Sequence, residues 1–230
     1  MLKRLRRWVV PVALVFSVFT LVVAADANAT AVLQFYDGTT TVTVVDGGAG
    51  DLYPIPGVIL YNGTIGVWNV IMNSGLTKPA IGTAQLPSID YANNIMSTGA
   101  GTLTIKFGDT DFVNPGGGMT FTGEMGITGS TTVGLQGFLS NANTSLGLDT
   151  NLFALSGTGL FDTSTTVGAT PGGLYSLTLV ETITATGAGQ KVGGDAILYA
   201  TAAVPEPGTL LLLGSGLLGL VVAGRKKFRK

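Results

Sequence analysis

The chain has 230 residues, of which 46% are hydrophobic and only 11% are charged, and its net charge is −1. It contains neither Cys nor His, which excludes disulfides, thiolate nucleophiles, Cys/His zinc sites and imidazole-based triads. Nine of the 12 basic residues lie in the two ends, whereas residues 30–204 carry three lysines and eleven acidic residues. This distribution predicts an acidic body between two basic ends that does not bind nucleic acid.

The N-terminal end has the three parts of a secretory signal peptide. Basic residues within the first seven positions precede an apolar run at 8–25, and the small residues Ala27 and Ala29 follow. The pattern predicts export by the secretion machinery and cleavage after Ala29, so that 1–29 is the signal peptide. An uncleaved anchor is the alternative, because an apolar run of this length nearly spans a bilayer. No Cys follows the run, which excludes lipid attachment of the bacterial lipoprotein kind.

The body, residues 30–203, has the pattern of short β-strands separated by turns. Asp37-Gly38 and Asn62-Gly63 each predict a hairpin turn, because both dipeptides tolerate two positive φ angles. No helical period appears outside the two ends. Predicted strands cover 31–36, 39–45, 58–61, 64–71, 101–107, 119–127, 133–139, 152–155, 174–185 and 196–201. Nine to eleven such strands predict an all-β fold, an antiparallel β-sandwich or jelly roll, flanked by an N-terminal signal helix and a C-terminal transmembrane helix.

Two pairs of aspartates are the candidates for a metal site. Asp109 and Asp111 are predicted just past a strand, and Asp46 and Asp51 enclose a glycine-rich loop. Oxygen ligands on flexible loops suit Ca²⁺. Neither string matches a known calcium-loop spacing, and Asp commonly stabilises turns through nearby amides. Turn stabilisation is therefore the default interpretation, and no metal or cofactor is assigned.

Two further groups of residues are candidates for carbohydrate chemistry. Glu124 and Glu181 are the only glutamates of the body, and a glycoside hydrolase needs two carboxylates facing one sugar. Glu181 is in register with Leu177 and Ile183, which predicts that it points inward. An inward acid more often marks a bulge or an edge than a catalytic site.

Aromatic side chains are the other candidates for sugar contacts. Trp68, Tyr53 and Tyr61 could provide a sugar-stacking platform. For Trp68, packing in the core is favoured over exposure, because a lone tryptophan is usually buried.

The C-terminal end combines a proline-containing break, an apolar run and a basic tail. Pro205 and Pro207 predict an extended peptide. The run 210–224 would make a transmembrane helix of about 22 Å, shorter than the ~30 Å hydrocarbon core. The basic tail 225–230 predicts a cytoplasmic stop. The five basic residues of this stop are Arg225, Lys226, Lys227, Arg229 and Lys230.

This end resembles the PEP-CTERM sorting signal of exported bacterial proteins, also described as the ice-binding-protein C-terminal motif. The matching motif is Val204, Pro205, Glu206, Pro207 and Gly208, continuing to Thr209, so that 204–230 is the sorting segment. The resemblance implies processing near Pro205 to Pro207 by exosortase, a membrane-embedded enzyme of Gram-negative bacteria that make exopolysaccharide. It also implies transient residence in the inner membrane and delivery to the cell surface or extracellular matrix.

The resemblance covers only the C-terminal 27 residues and is silent on the body. The expected function is that of a noncatalytic exported surface or matrix protein that is not an enzyme. An exopolysaccharide-binding module is the first alternative, and a β-fold glycoside hydrolase using Glu124 and Glu181 is the second. The secretion machinery and an exosortase-type enzyme are the expected partners, with the membrane bound through the C-terminal helix.

Overall fold

The computed structural model describes residues 31–202 and Ser215, and the body consists of twelve strands. The strands are β1 (Val32–Tyr36), β2 (Thr41–Val45), β3 (Val58–Ile65), β4 (Trp68–Leu76), β5 (Ser88–Ser97), β6 (Gly101–Val113), β7 (Met119–Gly129), β8 (Thr132–Ser140), β9 (Thr150–Thr158), β10 (Phe161–Ala169), β11 (Leu174–Ala185) and β12 (Lys191–Ala202). The predicted signal helix and transmembrane helix lie outside the described residues, apart from Ser215.

The strands form two six-stranded sheets in which every pair of neighbours is antiparallel. The first sheet has the order β2-β1-β6-β11-β8-β9, and the second has the order β10-β7-β12-β5-β4-β3. Their inner faces enclose one hydrophobic core. The predicted all-β sandwich is therefore confirmed.

Neighbouring strands of each sheet are antiparallel, so the connections gather at two ends of the sandwich. One end, which we call the termini end, carries the loops 46–57, 77–87, 114–118, 141–149 and 170–173. It also carries Ala31, where the described chain begins, and Ala202, where β12 stops. The opposite end, which we call the far end, carries the short connections 37–40, 66–67, 98–100, 130–131, 159–160 and 186–190.

Large rings fill the core where glycines leave room on the facing strands. Phe153 of β9 lies against Gly123 of β7 and Gly137 of β8, so that it contacts both sheets. A Cβ added at either glycine would lie 2.2 Å from the Phe153 ring. The high glycine content therefore serves packing as well as turns.

One predicted hairpin is confirmed and the other is wrong. Strands β1 and β2 pair around Asp37, whose Oδ1 accepts hydrogen bonds from the amides of Thr39 and Thr40. Asn62-Gly63, in contrast, lies inside β3, where the register with β4 shifts at a bulge. The turn is made instead at Gly66, with φ of 53°. Turning there places Ile65 opposite Trp68 and buries both side chains.

The other strand predictions are largely confirmed, with two omissions. Strands β5 and β10 had no predicted counterpart, so twelve strands replace the nine to eleven expected. In β5 the alternation of apolar residues is broken by Asn93, which points into the core. In β10 four of the nine residues are Thr or Ser, and none of the nine side chains of this edge strand is fully buried.

Candidate functional site

The residues of the predicted sorting signal follow directly after the folded body. Val204 to Gly208, the basic stop from Arg225 to Lys230, and the signal-cleavage residues Ala27 and Ala29 all lie outside the described residues. The body ends at Ala202, which pairs with Met119 of β7. Only Ala203 separates the last paired residue from Val204. Among the described residues, no helix has the length and apolar character to cross a membrane.

Asp109 is the centre of a buried polar cluster at the termini end. The prediction that it follows a strand is wrong, because β6 continues to Val113. Its Oδ2 lies 2.8 Å from Lys78 Nζ and accepts a hydrogen bond from the Thr77 hydroxyl at 2.8 Å. Lys78 Nζ also donates to the Thr110 carbonyl and lies 4.1 Å from the centre of the Phe112 ring. The cation bound by Asp109 is therefore a lysine of the same chain.

Asp111, the other member of this pair, holds a neighbouring loop. Its Oδ1 accepts a hydrogen bond from Asn143 Nδ2 at 2.7 Å, and its own amide donates to Asn143 Oδ1 at 2.8 Å. Both residues have positive φ, 60° for Asp111 and 52° for Asn143. This reciprocal pair fixes loop 141–149 against β6. Asp111 thus has the structural role that the default interpretation predicts.

Asp46 and Asp51 stabilise the loop between β2 and β3. Asp51 accepts hydrogen bonds from the amides of Gly47, Tyr53 and Leu60. Asp46 accepts one from Gly57 at 2.7 Å. Burial raises the pKa of Asp46, and the nearby carboxylates of Asp51 and Asp109 add to that shift. Over residues 31–202, no group of three or more carboxylates has the arrangement of a metal site.

The two glutamates do not meet at a common site. Glu181 of β11 is 3% exposed, as its register predicts, and points between the sheets. Asn93 Nδ2 of β5 donates to both of its oxygens, at 2.9 and 2.7 Å. Burial raises the pKa of Glu181 to about 7. Glu124 lies on the outer face of the second sheet, where it accepts a hydrogen bond from the Tyr199 hydroxyl at 3.1 Å.

The three candidate aromatic residues are also separated. Trp68 is buried in the core, which confirms the interpretation favoured for it. Tyr61 is half-buried against Phe35, with ring centres 4.9 Å apart. Tyr53 is exposed in the loop between β2 and β3. No shared sugar-stacking platform is formed by these residues.

A shallow depression on the outer face of the second sheet was not predicted from the sequence. It has a volume of about 380 Å³ and is lined by Glu124, Gly126, Ile127, Thr128, Leu160, Phe161, Asp162, Asp195 and Ile197. Gly126 leaves its floor open, because a Cβ there would contact nothing within 4 Å. Beside it, burial and the neighbouring Asp195 raise the pKa of Asp90 to about 7. The signal in the sequence was limited to Asp195 and Ile197, which are two residues apart and therefore lie on the same face of β12. It becomes informative only when the neighbouring strands are known.

The comparison with protein families identifies the C-terminal segment. Residues 203–227 match the model of the PEP-CTERM protein-sorting motif. The resemblance of the C-terminal end to this sorting signal is therefore confirmed over these residues. The motif implies an exported protein that is sorted to the cell surface and processed by exosortase-type machinery.

The body has only distant likenesses among known proteins. TmCBM61 in complex with β-1,4-galactotriose is 9% identical with a TM-score of 0.33, over 61% of this chain and 92% of that chain. The enzymatically active domain of tailspike protein 4 from bacteriophage CBA120 is 12% identical with a TM-score of 0.32, over 76% and 19% respectively. No curated protein matches the chain. Likenesses this weak carry no argument about ligand or activity.

Proposed function

We propose that the chain is a noncatalytic protein of the cell surface or extracellular matrix of a Gram-negative bacterium. Its tail passes through the inner membrane transiently and is cut near Pro205 to Pro207 by an exosortase-type enzyme. The observation that carries this proposal is the match of residues 203–227 to the sorting motif, directly after a folded body. The body is the part that would be delivered.

The contacts of the acidic residues support a structural role for the body. Asp109 is paired with Lys78, Asp111 with Asn143, and Glu181 with Asn93. A pair of catalytic carboxylates must face one bound substrate. The two glutamates considered for that role lie on different sheets: Glu181 of the first sheet points into the sandwich, and Glu124 of the second sheet points outwards.

The sorting function is tested by changing the motif while keeping the membrane segment. Replacing Pro205, Glu206 and Pro207 by alanine leaves the apolar run and the basic tail intact, so a plain membrane anchor would behave as before. A sorting substrate would accumulate as the longer, membrane-bound form. The assay is fractionation of the variant and the wild type in a host that carries an exosortase.

A control and a mass measurement complete this experiment. As the control, the wild type should also remain membrane-bound in the same host without exosortase. Unchanged release of the triple variant would contradict the proposal. Intact-mass measurement of released wild-type protein should place the new N-terminus at Thr30 and the new C-terminus near Pro205 to Pro207. Recovery of Met1 from surface material would favour the uncleaved anchor.

Binding of exopolysaccharide is the second candidate function. The depression on the second sheet favours it, because Leu160 and Phe161 offer apolar contacts beside the carboxylates of Asp162 and Asp195. Sugars are bound by such combinations of apolar surface and oriented polar groups. Co-sedimentation with purified exopolysaccharide should weaken in a Leu160→Ser variant, whereas Ile71→Ser, also exposed but outside the depression, should bind as the wild type does.

A further inference from the structure

Both predicted apolar segments attach to the same end of the sandwich. The carbonyl of Ala31 accepts a hydrogen bond from the Asp46 amide at 3.0 Å, in the first loop of the termini end. At the other limit of the described body, Ala200 donates to the Pro87 carbonyl, in a second loop of that end. The strand order therefore directs one particular end of the body towards the bilayer that holds the tail.

The connection between the body and the predicted membrane helix is short. Seven residues, 203–209, separate Ala202 from the start of the apolar run at Leu210. A fully extended chain spans at most about 3.5 Å per residue, or about 25 Å here. The headgroup layer on one side of a bilayer occupies roughly 5 to 8 Å of that length. The termini end consequently stays close to the lipid headgroups until the tail is cut.

Exposed apolar side chains are concentrated at this same end. Ten large hydrophobic residues of the described chain are exposed, and seven of them are at the termini end. The seven are Val45, Leu52, Tyr53, Ile55, Leu86, Leu148 and Leu174, with exposed fractions from 39% to 58%. Of the other three, Tyr36 and Leu160 are at the far end and Ile71 is on an outer face. Single exposed apolar residues are ordinary, but the termini end holds most of those in the described chain.

The charged groups of the termini end are already bound within the protein. Asp51 accepts three backbone hydrogen bonds, and Asp149 accepts one from the Ser140 hydroxyl at 2.6 Å. Lys78 is paired with Asp109 in the interior. Each of these charged groups therefore keeps a partner within the protein when this end lies against headgroups. Because the body has eleven acidic residues and three lysines, neutral headgroups suit it better than anionic ones.

We propose that the termini end rests on zwitterionic lipid headgroups, with Leu52, Ile55 and Leu86 among the contacts, for as long as the tail is uncut. This inference depends on the proposed function, since it requires the tail to be in the membrane. Tethering supplies a high effective concentration, so weak apolar contacts are sufficient to hold the body in place. Cleavage of the tail removes the tether, and the body then leaves the membrane.

Single-cysteine labelling of the full chain tests the contact, because the chain has no Cys of its own. The variants Ile55→Cys, Leu86→Cys and, as a matched far-end control, Leu160→Cys are labelled with an environment-sensitive dye. They are then inserted in phosphatidylcholine vesicles that contain headgroup-spin-labelled lipid. We expect several-fold stronger quenching at 55 and 86 than at 160, although Leu160 is the most exposed of the three at 88%. Equal quenching at all three positions would overturn the proposal.

A second variant separates docking from simple closeness to the membrane. A long Gly/Ser linker inserted between Ala203 and Val204 lets the body move away from the bilayer. In that chain a dye at Leu148→Cys should still be quenched, and the added triple substitution Leu52→Ser, Ile55→Ser and Leu86→Ser should abolish the quenching. Equal quenching with and without the triple substitution would show that the tether alone keeps the end near the lipid. Replacing part of the phosphatidylcholine by phosphatidylglycerol should reduce the quenching.

Flotation of the vesicles distinguishes the two possible failures. If the chain floats with the vesicles but the dyes are equally quenched, the membrane tail is correct and the docking is wrong. If the chain does not float, the membrane tail itself is wrong, and the docking proposal falls with it. Thermal melting of each variant verifies that the serine substitutions leave the body folded.

Discussion

Lys78 and Asp109 form an ion pair inside the termini end, with 2.8 Å between Nζ and Oδ2 and exposed fractions of 5% and 1% for the two residues. The two residues come from a loop and from a strand separated by 31 positions in the chain. Their contact joins the loop 77–87 of the second sheet to β6 of the first. Lys78 also supplies the positive charge that the buried carboxylate of Asp109 requires.

Breaking this ion pair on one side should destabilise the body strongly. Lys78→Met leaves the Asp109 carboxylate buried without its cation, and a loss of about 3 to 5 kcal/mol in the free energy of unfolding is expected. The double variant Lys78→Met, Asp109→Asn should lose less free energy of unfolding than the two single variants lose in sum. Urea unfolding at neutral pH measures all three values. The exposed Lys191→Met is the control, with an expected change within about 0.5 kcal/mol; a similar small effect at Lys78 would contradict the prediction.

Removal of divalent metal should have little effect on the body. The carboxylates considered for Ca²⁺ already have partners in the chain, with Lys78 against Asp109 and Asn143 against Asp111. We therefore expect the same Tm with EDTA as with added Ca²⁺. A Tm lowered by more than about 5 °C, on the order of 1 kcal/mol or more for a domain of this size, would restore the calcium interpretation.

The free energy of unfolding of the body should fall as the pH rises through the range in which Glu181 is protonated in the folded state but ionised in the unfolded state. Burial raises the pKa of Glu181 from 4.5 to about 7 in the folded protein, so the folded state keeps its proton while the unfolded chain loses it. The Glu181 contribution should lower the free energy of unfolding by roughly 3 kcal/mol between about pH 4.5 and pH 7 and be constant above that range. Unfolding by urea across this pH range measures the decline.

The variant Glu181→Gln should remove the contribution of Glu181 to the pH dependence. The new amide is neutral at every pH. Asn93 Oδ1, which is buried without a hydrogen-bond partner among the described residues, can accept a hydrogen bond from its N–H. The variant should match the wild type near pH 4 and exceed it at pH 8. Asp90→Asn should remove a further part of the pH dependence, because burial and the neighbouring Asp195 also raise the pKa of Asp90 to about 7. An unchanged pH profile in Glu181→Gln would contradict the assignment.

Two glycines of β7 should respond differently to the same substitution. A Cβ at Gly123 would lie 2.2 Å from the Phe153 ring, whereas a Cβ at Gly126 would meet nothing within 4 Å. Gly123→Ala should therefore destabilise the body by about 1 to 3 kcal/mol through overpacking. Gly126→Ala should be neutral or slightly stabilising, since it restricts the unfolded chain. Thermal or urea unfolding of the pair tests this, and equal effects would mean that Phe153 does not pack between the sheets as described.

Local features of the sequence determined the fold class and the position of the sorting signal. Asp37-Gly38 specified its hairpin because the Asp37 side chain bonds amides only two and three residues away. Alternation in β11 specified that Glu181 points inward, because side chains of a strand alternate between its two faces. The sorting motif was recognisable because its parts are contiguous in the chain.

Only the tertiary structure decided which distant residues became partners. Asn62-Gly63 has a strong local turn signal, yet burial of Ile65 and Trp68 moved the turn to Gly66. From the sequence, Asp109 was expected to lie in a loop. In the structure it lies in β6 and forms an ion pair with Lys78 of loop 77–87, which follows a strand of the second sheet. Strand order also separates Glu124 from Glu181. It places seven exposed apolar residues at the termini end. Strand order depends on pairings between residues far apart in the chain, and no local pattern encodes those pairings.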